Sequence, residues 1–149
     1  MKQLYYEVKK CLGCKSCEIA CAVAHSLTKD LFKSIGEEVK SLPRKKVLGG
    51  KDKNYPVSCR HCKEPKCVDA CMSHALSYDA DIGLVIHDET RCVGCWMCVM
   101  VCPYAAIRPN IKTRIPLRCD KCKDRDEPAC VKACPTGAII WQEEVNAKK

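Results

Sequence analysis

The chain has little of the material that usually builds a core. Its 149 residues contain one Phe, two Trp and five Tyr. A chain so poor in large side chains needs some other source of cohesion. No run approaches the roughly 18 apolar residues of a spanning helix, so no direct membrane span is expected. The opening MKQLYYEVKKC has neither an apolar signal segment nor twin arginines. The expected setting is cytoplasmic, where disulfides do not persist. Also missing are a phosphate-cradling glycine run, a nucleophile with a base, and a C-x3-C-x2-C triplet. Catalysis by this chain alone is not expected.

Cysteine is what the chain has in excess, with 16 residues, far above ordinary usage. They fall into four groups with none left over. The first is Cys11, Cys14, Cys17 and Cys21. The second is Cys59, Cys62, Cys67 and Cys71. The third is Cys92, Cys95, Cys98 and Cys102, and the fourth is Cys119, Cys122, Cys130 and Cys134. Groups one and three have the spacing C-x2-C-x2-C-x3-C known from bacterial ferredoxins. A tight loop with thiols three residues apart covers three corners of a four-iron cube. The fourth cysteine, expected at the start of a helical turn, points away and serves a neighbouring cube. Groups two and four lengthen the middle spacer with KEPK and KDRDEPA, each carrying Glu-Pro (Glu64-Pro65 and Glu127-Pro128). The chain is thus an internal repeat of short and long loops. Zinc is the competing metal, in a zinc-binding interaction module. Zinc sites take paired C-x2-C knuckles, and triplets with a trailing cysteine do not divide that way.

The formal charge of +8 would ordinarily suggest nucleic acid. An oxidised four-iron site with four thiolates carries roughly −2. Four such sites cancel the excess, which reads as compensation for buried anions. No nucleic-acid partner is expected.

Short strands at Ala75–Tyr78 and Leu84–His87 flank a turn containing Asp81 and Gly83. Groups two and three with this hairpin make a contiguous ferredoxin-like lobe, residues 56–110. Residues 3–8 alternate Leu4, Tyr6 and Val8 before Cys11, and Ala138–Trp141 is strand-like after Cys134. Pairing these ends rebuilds the same unit from residues 1–21 and 111–149. The expected fold is α+β: two interleaved lobes, each resembling a two-cluster bacterial ferredoxin, with short β-hairpins and short helices. Ligation is then nested. Cys134 joins Cys11, Cys14 and Cys17; Cys21 joins Cys119, Cys122 and Cys130. Cys102 joins Cys59, Cys62 and Cys67; Cys71 joins Cys92, Cys95 and Cys98. The competing scheme couples group one with two and group three with four.

Residues 22–55 form a cysteine-poor insertion with two short helical pieces, Thr28 capping the second before Leu31, Phe32 and Ile35. PRKKVLGGKDK reads as a basic surface turn with a short strand. The insertion is either a lid over one cluster or a docking surface. Trp96 is expected to shield its cluster from water. His61 is placed to hydrogen-bond a sulfur, while His25, His74 and His87 read as ordinary polar residues. Pro103 and Pro135 follow their cysteines and fix the backbone there; Ala22 and Met72 stand at the other two positions.

With CRHC-x4-C in the second group and DETRCVGCWMCVMVCPYAAI around the third, nearly the whole chain resembles four-cluster [4Fe-4S] ferredoxin-type subunits of multi-subunit oxidoreductases. That family serves molybdenum or tungsten enzymes, hydrogenases and carbon-monoxide dehydrogenase. CLGCKSCEIACAVAHS and DLFKSI look most like the electron-acceptor subunit of carbon-monoxide dehydrogenase; subunits of tungsten aldehyde oxidoreductase look similar. The resemblance implies four [4Fe-4S] clusters, nested ligation and no catalysis by the chain itself. It also implies low-potential electron relay between a large catalytic oxidoreductase subunit and a second redox protein, a flavoprotein reductase or hydrogenase. By the same likeness the Cys11/Cys14/Cys17 cluster faces the catalytic subunit, with the Cys92/Cys95/Cys98 cluster at the far end. End-to-end self-association and a free soluble ferredoxin carrier are the other expectations.

Overall fold

The computed structural model describes residues 2–143. The expected lobe of residues 111–149 therefore has its last six positions, 144–149, outside the described residues. Strands β1 (Lys2–Tyr6) and β8 (Ile139–Glu143) pair antiparallel, with Leu4 opposite Trp141 and Tyr6 opposite Ile139. The alternation at the chain ends predicts this pairing, although Val8 belongs to a 3-10 turn, Val8–Lys10, and not to the strand. Strands β4 (Leu76–Asp79) and β5 (Leu84–His87) form the expected hairpin. Its turn is fixed by the Asp79 carboxylate, which accepts from the main-chain N–H of Asp81 and Ile82. Gly83 supplies a left-handed residue there, φ +62°.

Two further hairpins are present. Strand β2 (Lys45–Gly49) pairs with β3 (Asn54–Ser58), and β6 (Arg108–Asn110) with β7 (Ile115–Leu117). The first crosses the expected boundary between residues 55 and 56, and the second the one between 110 and 111. The insertion is therefore continuous by backbone pairing with the approach to Cys59.

The helices are short. They are α1 (Ser16–Ala24), α2 (Leu31–Ile35), α3 (Lys66–Asp69), α4 (Met97–Met100) and α5 (Ala129–Lys132). Asp30, not Thr28, caps α2: its carboxylate accepts from Phe32 and Lys33 N–H at 3.0 Å, an arrangement worth about 1 kcal/mol. Thr28 instead donates its hydroxyl to Glu37 at 2.7 Å. An Asp two residues closer to the apolar run leaves Thr28 no orphan N–H to satisfy.

Two small cores result. One gathers Cys17, Val47, Cys130 and Ile139, with Leu4, Tyr6, Cys11, Val131 and Cys134 packed around them. The other gathers Leu76, Val85, Cys98 and Ile107, with Cys67, Val68, Cys71, Tyr78, Val99 and Cys102. The molecule is thus a small mixed helix-strand fold of short hairpins and short helices.

Candidate metal centres

Each cysteine group is bent by the same backbone device. The residue just before the second cysteine is left-handed in all four groups: Gly13 (φ +72°), His61 (+50°), Gly94 (+67°) and Lys121 (+57°). This turns consecutive thiols to one side of the loop. In the short loops the position is glycine, which adopts it without strain. Gly94 also needs its missing side chain, because a Cβ there would lie 2.7 Å from the Arg114 carbonyl oxygen. At Gly13 the clash would be with the Asn54 side chain, 2.8 Å away, which can swing aside. Gly94→Ala is therefore expected to destabilise the loaded protein by roughly 1–3 kcal/mol, and Gly13→Ala by less. Thermal unfolding of both variants checks the order; equal effects would contradict it.

In the long loops the same position holds buried polar residues. The His61 ring accepts from the Val85 main-chain N–H at 3.0 Å, so its side chain anchors β5. The Nδ1 of the ring is thus engaged with the main chain and not with a sulfur, while its Nε2 is buried. It is the main-chain N–H of His61 that faces the Cys59 sulfur. Burial, with Lys121 and Arg118 nearby, pushes the His61 pKa down to about 3 and keeps the ring neutral. Lys121 reaches the carbonyls of Lys2 and Gly83, each at 3.4 Å, and so ties β1 to the β4–β5 turn.

The third cysteine, not the fourth, opens each helix. Cys17, Cys67, Cys98 and Cys130 are each the second helical residue, whereas Cys71, Cys102 and Cys134 follow the ends of their helices. The residue before each helix differs by loop type. Lys15 (φ +60°) and Trp96 (+64°) serve the short loops, and Pro65 and Pro128 the long ones. The Glu-Pro pairs thus mark helix starts.

Four thiols line each of three cavities. Cys11, Cys14, Cys17 and Cys134 line one. Cys59, Cys62, Cys67 and Cys102 line the second. Cys71, Cys92, Cys95 and Cys98 line the third, together with the half-buried Trp96. Cys119, Cys122 and Cys130 lie within electrostatic reach of Cys21. Cysteines from different groups therefore meet, three from one and one from another.

Burial raises several of these thiols, whereas Cys14, Cys71 and Cys134 are lowered. Cys17, Cys59 and Cys98 are pushed up to about 11 and Cys119 to about 12. In the metal-free chain they carry protons at neutral pH. Ligation must displace those protons, and acid returns them. Iron is thus held at neutral pH and lost as pH falls. Iron content after equilibration at stepwise lower pH tests this; full retention to about pH 4, where even free carboxylates titrate, would contradict it.

His25 is more than an ordinary polar residue. Its Nδ1 donates to the Cys21 carbonyl at 2.7 Å, and its Nε2 lies 3.1 Å from an Asp120 oxygen. Arg44 donates to the same carboxylate at 2.6 Å. Asp120, then Cys21, raise the His25 pKa to about 10. Burial works to raise the Asp120 pKa, but His25 and Arg44 outweigh it and hold it well below the usual range. This clasp joins α1, the insertion and the fourth cysteine group. His25, Asp120 and Cys122 also bring one ligand atom each within 4.8 Å of one another, but the clasp and the cysteine set already engage all three. His87 is half-buried and its pKa is lowered, chiefly by burial; His74 is exposed.

The residues fit anionic iron–sulfur groups. The Arg118 Nη1 is buried without a hydrogen-bonding partner, and the buried Lys45 ammonium has only the Cys130 thiol as a hydrogen-bonding neighbour among the described residues, a costly state that an anion among the thiols would relieve.

Comparison with known proteins agrees. A 4Fe-4S dicluster domain matches residues 52–144, and a 4Fe-4S binding domain residues 9–24. An iron-sulfur protein of Rhodospirillum rubrum is 37% identical, over 91% of this chain and 79% of its own. Electron transport protein HydN of Escherichia coli K12 is 36% identical, over 96% of this chain and 91% of its own. Among solved structures, a chain of the active site complex BamBC of benzoyl coenzyme A reductase, in complex with benzoyl-CoA, shares the fold. Its TM-score is 0.55 at 21% identity, covering 95% of this chain and 79% of that one. No helix among the described residues is long and apolar enough to cross a membrane. With multiple [4Fe-4S] sites and relatives named for electron transport, this chain is a non-catalytic electron-transfer subunit and belongs to the 4Fe-4S dicluster ferredoxin-type iron–sulfur protein family.

Proposed function

We propose that the chain carries four [4Fe-4S] clusters and relays low-potential electrons between a large catalytic oxidoreductase subunit and a second redox protein. When bound, the clusters supply one-electron transfer. The observation that carries this reading is the meeting of three thiols from one group with the fourth from another. It supports the nested ligand sets for Cys11/Cys14/Cys17/Cys134, Cys59/Cys62/Cys67/Cys102 and Cys92/Cys95/Cys98/Cys71. The neighbourhood of Cys21 supports the set with Cys119, Cys122 and Cys130. The antiparallel pairing of β1 with β8 favours two lobes interleaved in sequence, residues 1–21 with 111–149 and residues 56–110.

The protein's own residues hold, space and shield. Thiols fix each site, left-handed turns aim them, and Trp96 covers the third-group cavity. Cys14 and Cys95 are the exposed cysteines, one in each short loop, and each has an exposed apolar neighbour, Leu12 and Val93. These are the two ends where electrons enter and leave. The partners are a catalytic subunit of carbon-monoxide dehydrogenase or aldehyde oxidoreductase type and a flavoprotein reductase or hydrogenase. Anaerobic purification of the native complex tests the reading. Co-purification with a large oxidoreductase that reduces this chain on substrate addition is expected. A chain recovered alone or only as end-to-end copies, or one holding zinc, would contradict it.

A further inference from the structure

Lys45 and Arg118 are buried cations that ligation alone leaves without a task. Lys45, on β2, is only 2% exposed, and Arg118, after β7, only 8%. No carboxylate pairs with either among the described residues. The Lys45 ammonium stands 4.9 Å from the centre of the Tyr6 ring. Its charge acts on Cys17, Cys130 and Cys119, the thiols of groups one and four. The charge of Arg118 acts on Cys59, Cys67 and Cys98, the thiols of groups two and three. Each core thus has one cation, and each cation reaches two cysteine sets. By contrast, the buried ammonium of Lys121 is spent on main-chain carbonyls.

We propose that Lys45 and Arg118 are potential-setting residues, each favouring reduction of both clusters in its own core. This rests on the proposed ligation. When one electron enters a site, the site gains one negative charge. No bond breaks and no proton moves, because both side chains stay cationic throughout. A fixed positive charge in a buried, low-dielectric setting stabilises the reduced form more than it would in water. The two cations come from unrelated parts of the sequence, the insertion and the run before Cys119, and each acts on the thiols of one core. Such placement tunes two sites at once, which a surface lysine, screened by water and salt, does not.

The test is an anaerobic redox titration of the loaded protein with dithionite, followed by electron paramagnetic resonance and iron counting. In Lys45→Met the signals of the first core should need at least a tenfold less favourable reduction equilibrium, about 59 mV lower for one electron. Signals of the second core should stay in place. Arg118→Met should give the converse, and Lys45→Arg and Arg118→Lys should each keep the parent potentials. Unchanged potentials in neutral variants with full iron would overturn the proposal. If a neutral variant does not retain iron, the charged replacement decides. Iron kept by it supports a charge role, and iron lost from it too marks a packing role and overturns the proposal. Absence of four-iron signals from the unaltered chain would instead defeat the functional reading beneath it.

Discussion

Cys98→Ser is expected to abolish or alter one iron–sulfur centre while the other core keeps its iron. Cys98 is buried at the start of α4 among Leu76, Val85 and Ile107. These apolar neighbours leave little room for a water to take the place of its sulfur. The iron content should fall by about a quarter if one of four equivalent sites is emptied. The same experiment separates the two ligation schemes. With nested sets, Cys71→Ser perturbs the signal that Cys98→Ser perturbs, since both thiols line one cavity. Cys102→Ser should instead strike the site of Cys59, Cys62 and Cys67. If Cys71→Ser spared the Cys98 signal, nested ligation would fail.

Removing the metal from the intact chain is expected to cost most of its order. The described cores are small, and half of the first core's buried members, and one of the second's, are cysteines. Among the described residues, Pro128 is the one sizeable side chain that is fully buried. A buried aliphatic side chain contributes roughly 1.5–3 kcal/mol, whereas fixing each residue's backbone costs roughly 1–2 kcal/mol. So few aliphatic residues do not offset the ordering of a chain this long. Metal-free protein would in addition leave the Lys45 and Arg118 charges buried without an anion. Circular dichroism before and after oxidative iron removal checks this. Loss of most secondary structure is expected; a native spectrum without iron would show that the apolar cores suffice.

Much of this was legible in the sequence, because cysteine spacing is a geometric statement. The four groups, the β4–β5 hairpin and the closure of β1 on β8 follow from spacing and period-two patterning. The insertion was legible in part: α2 and the strand β2 lie in it, whereas its first helical piece is the end of α1, which starts at Ser16. Less visible was the bend before each second cysteine. Gly13 and Gly94 announce it, but His61 and Lys121 adopt it without glycine, and only comparison of the four repeats could have exposed them. The clasp of His25, Asp120 and Arg44 was not legible, because His25 and Asp120 lie 95 positions apart. The placement of Asp30 over Thr28 at the α2 cap turns on a two-residue choice that the stronger capping tendency of Asp over Thr decides. The helical position of the third cysteine was hidden for a related reason. Lys15 and Trp96 are not residues that ordinarily begin a helix, and their left-handed conformation replaces the usual capping side chain.

The central claim is that iron–sulfur groups fill all the cysteine sets. Anaerobically prepared protein should be assayed for iron and acid-labile sulfide per chain, with Mössbauer spectra to identify the cluster type. About sixteen irons and as many sulfides, one pair for each cysteine, in four-iron form are predicted. A colourless protein with zinc in their place, or fewer than four centres in a fully loaded sample, would contradict the account.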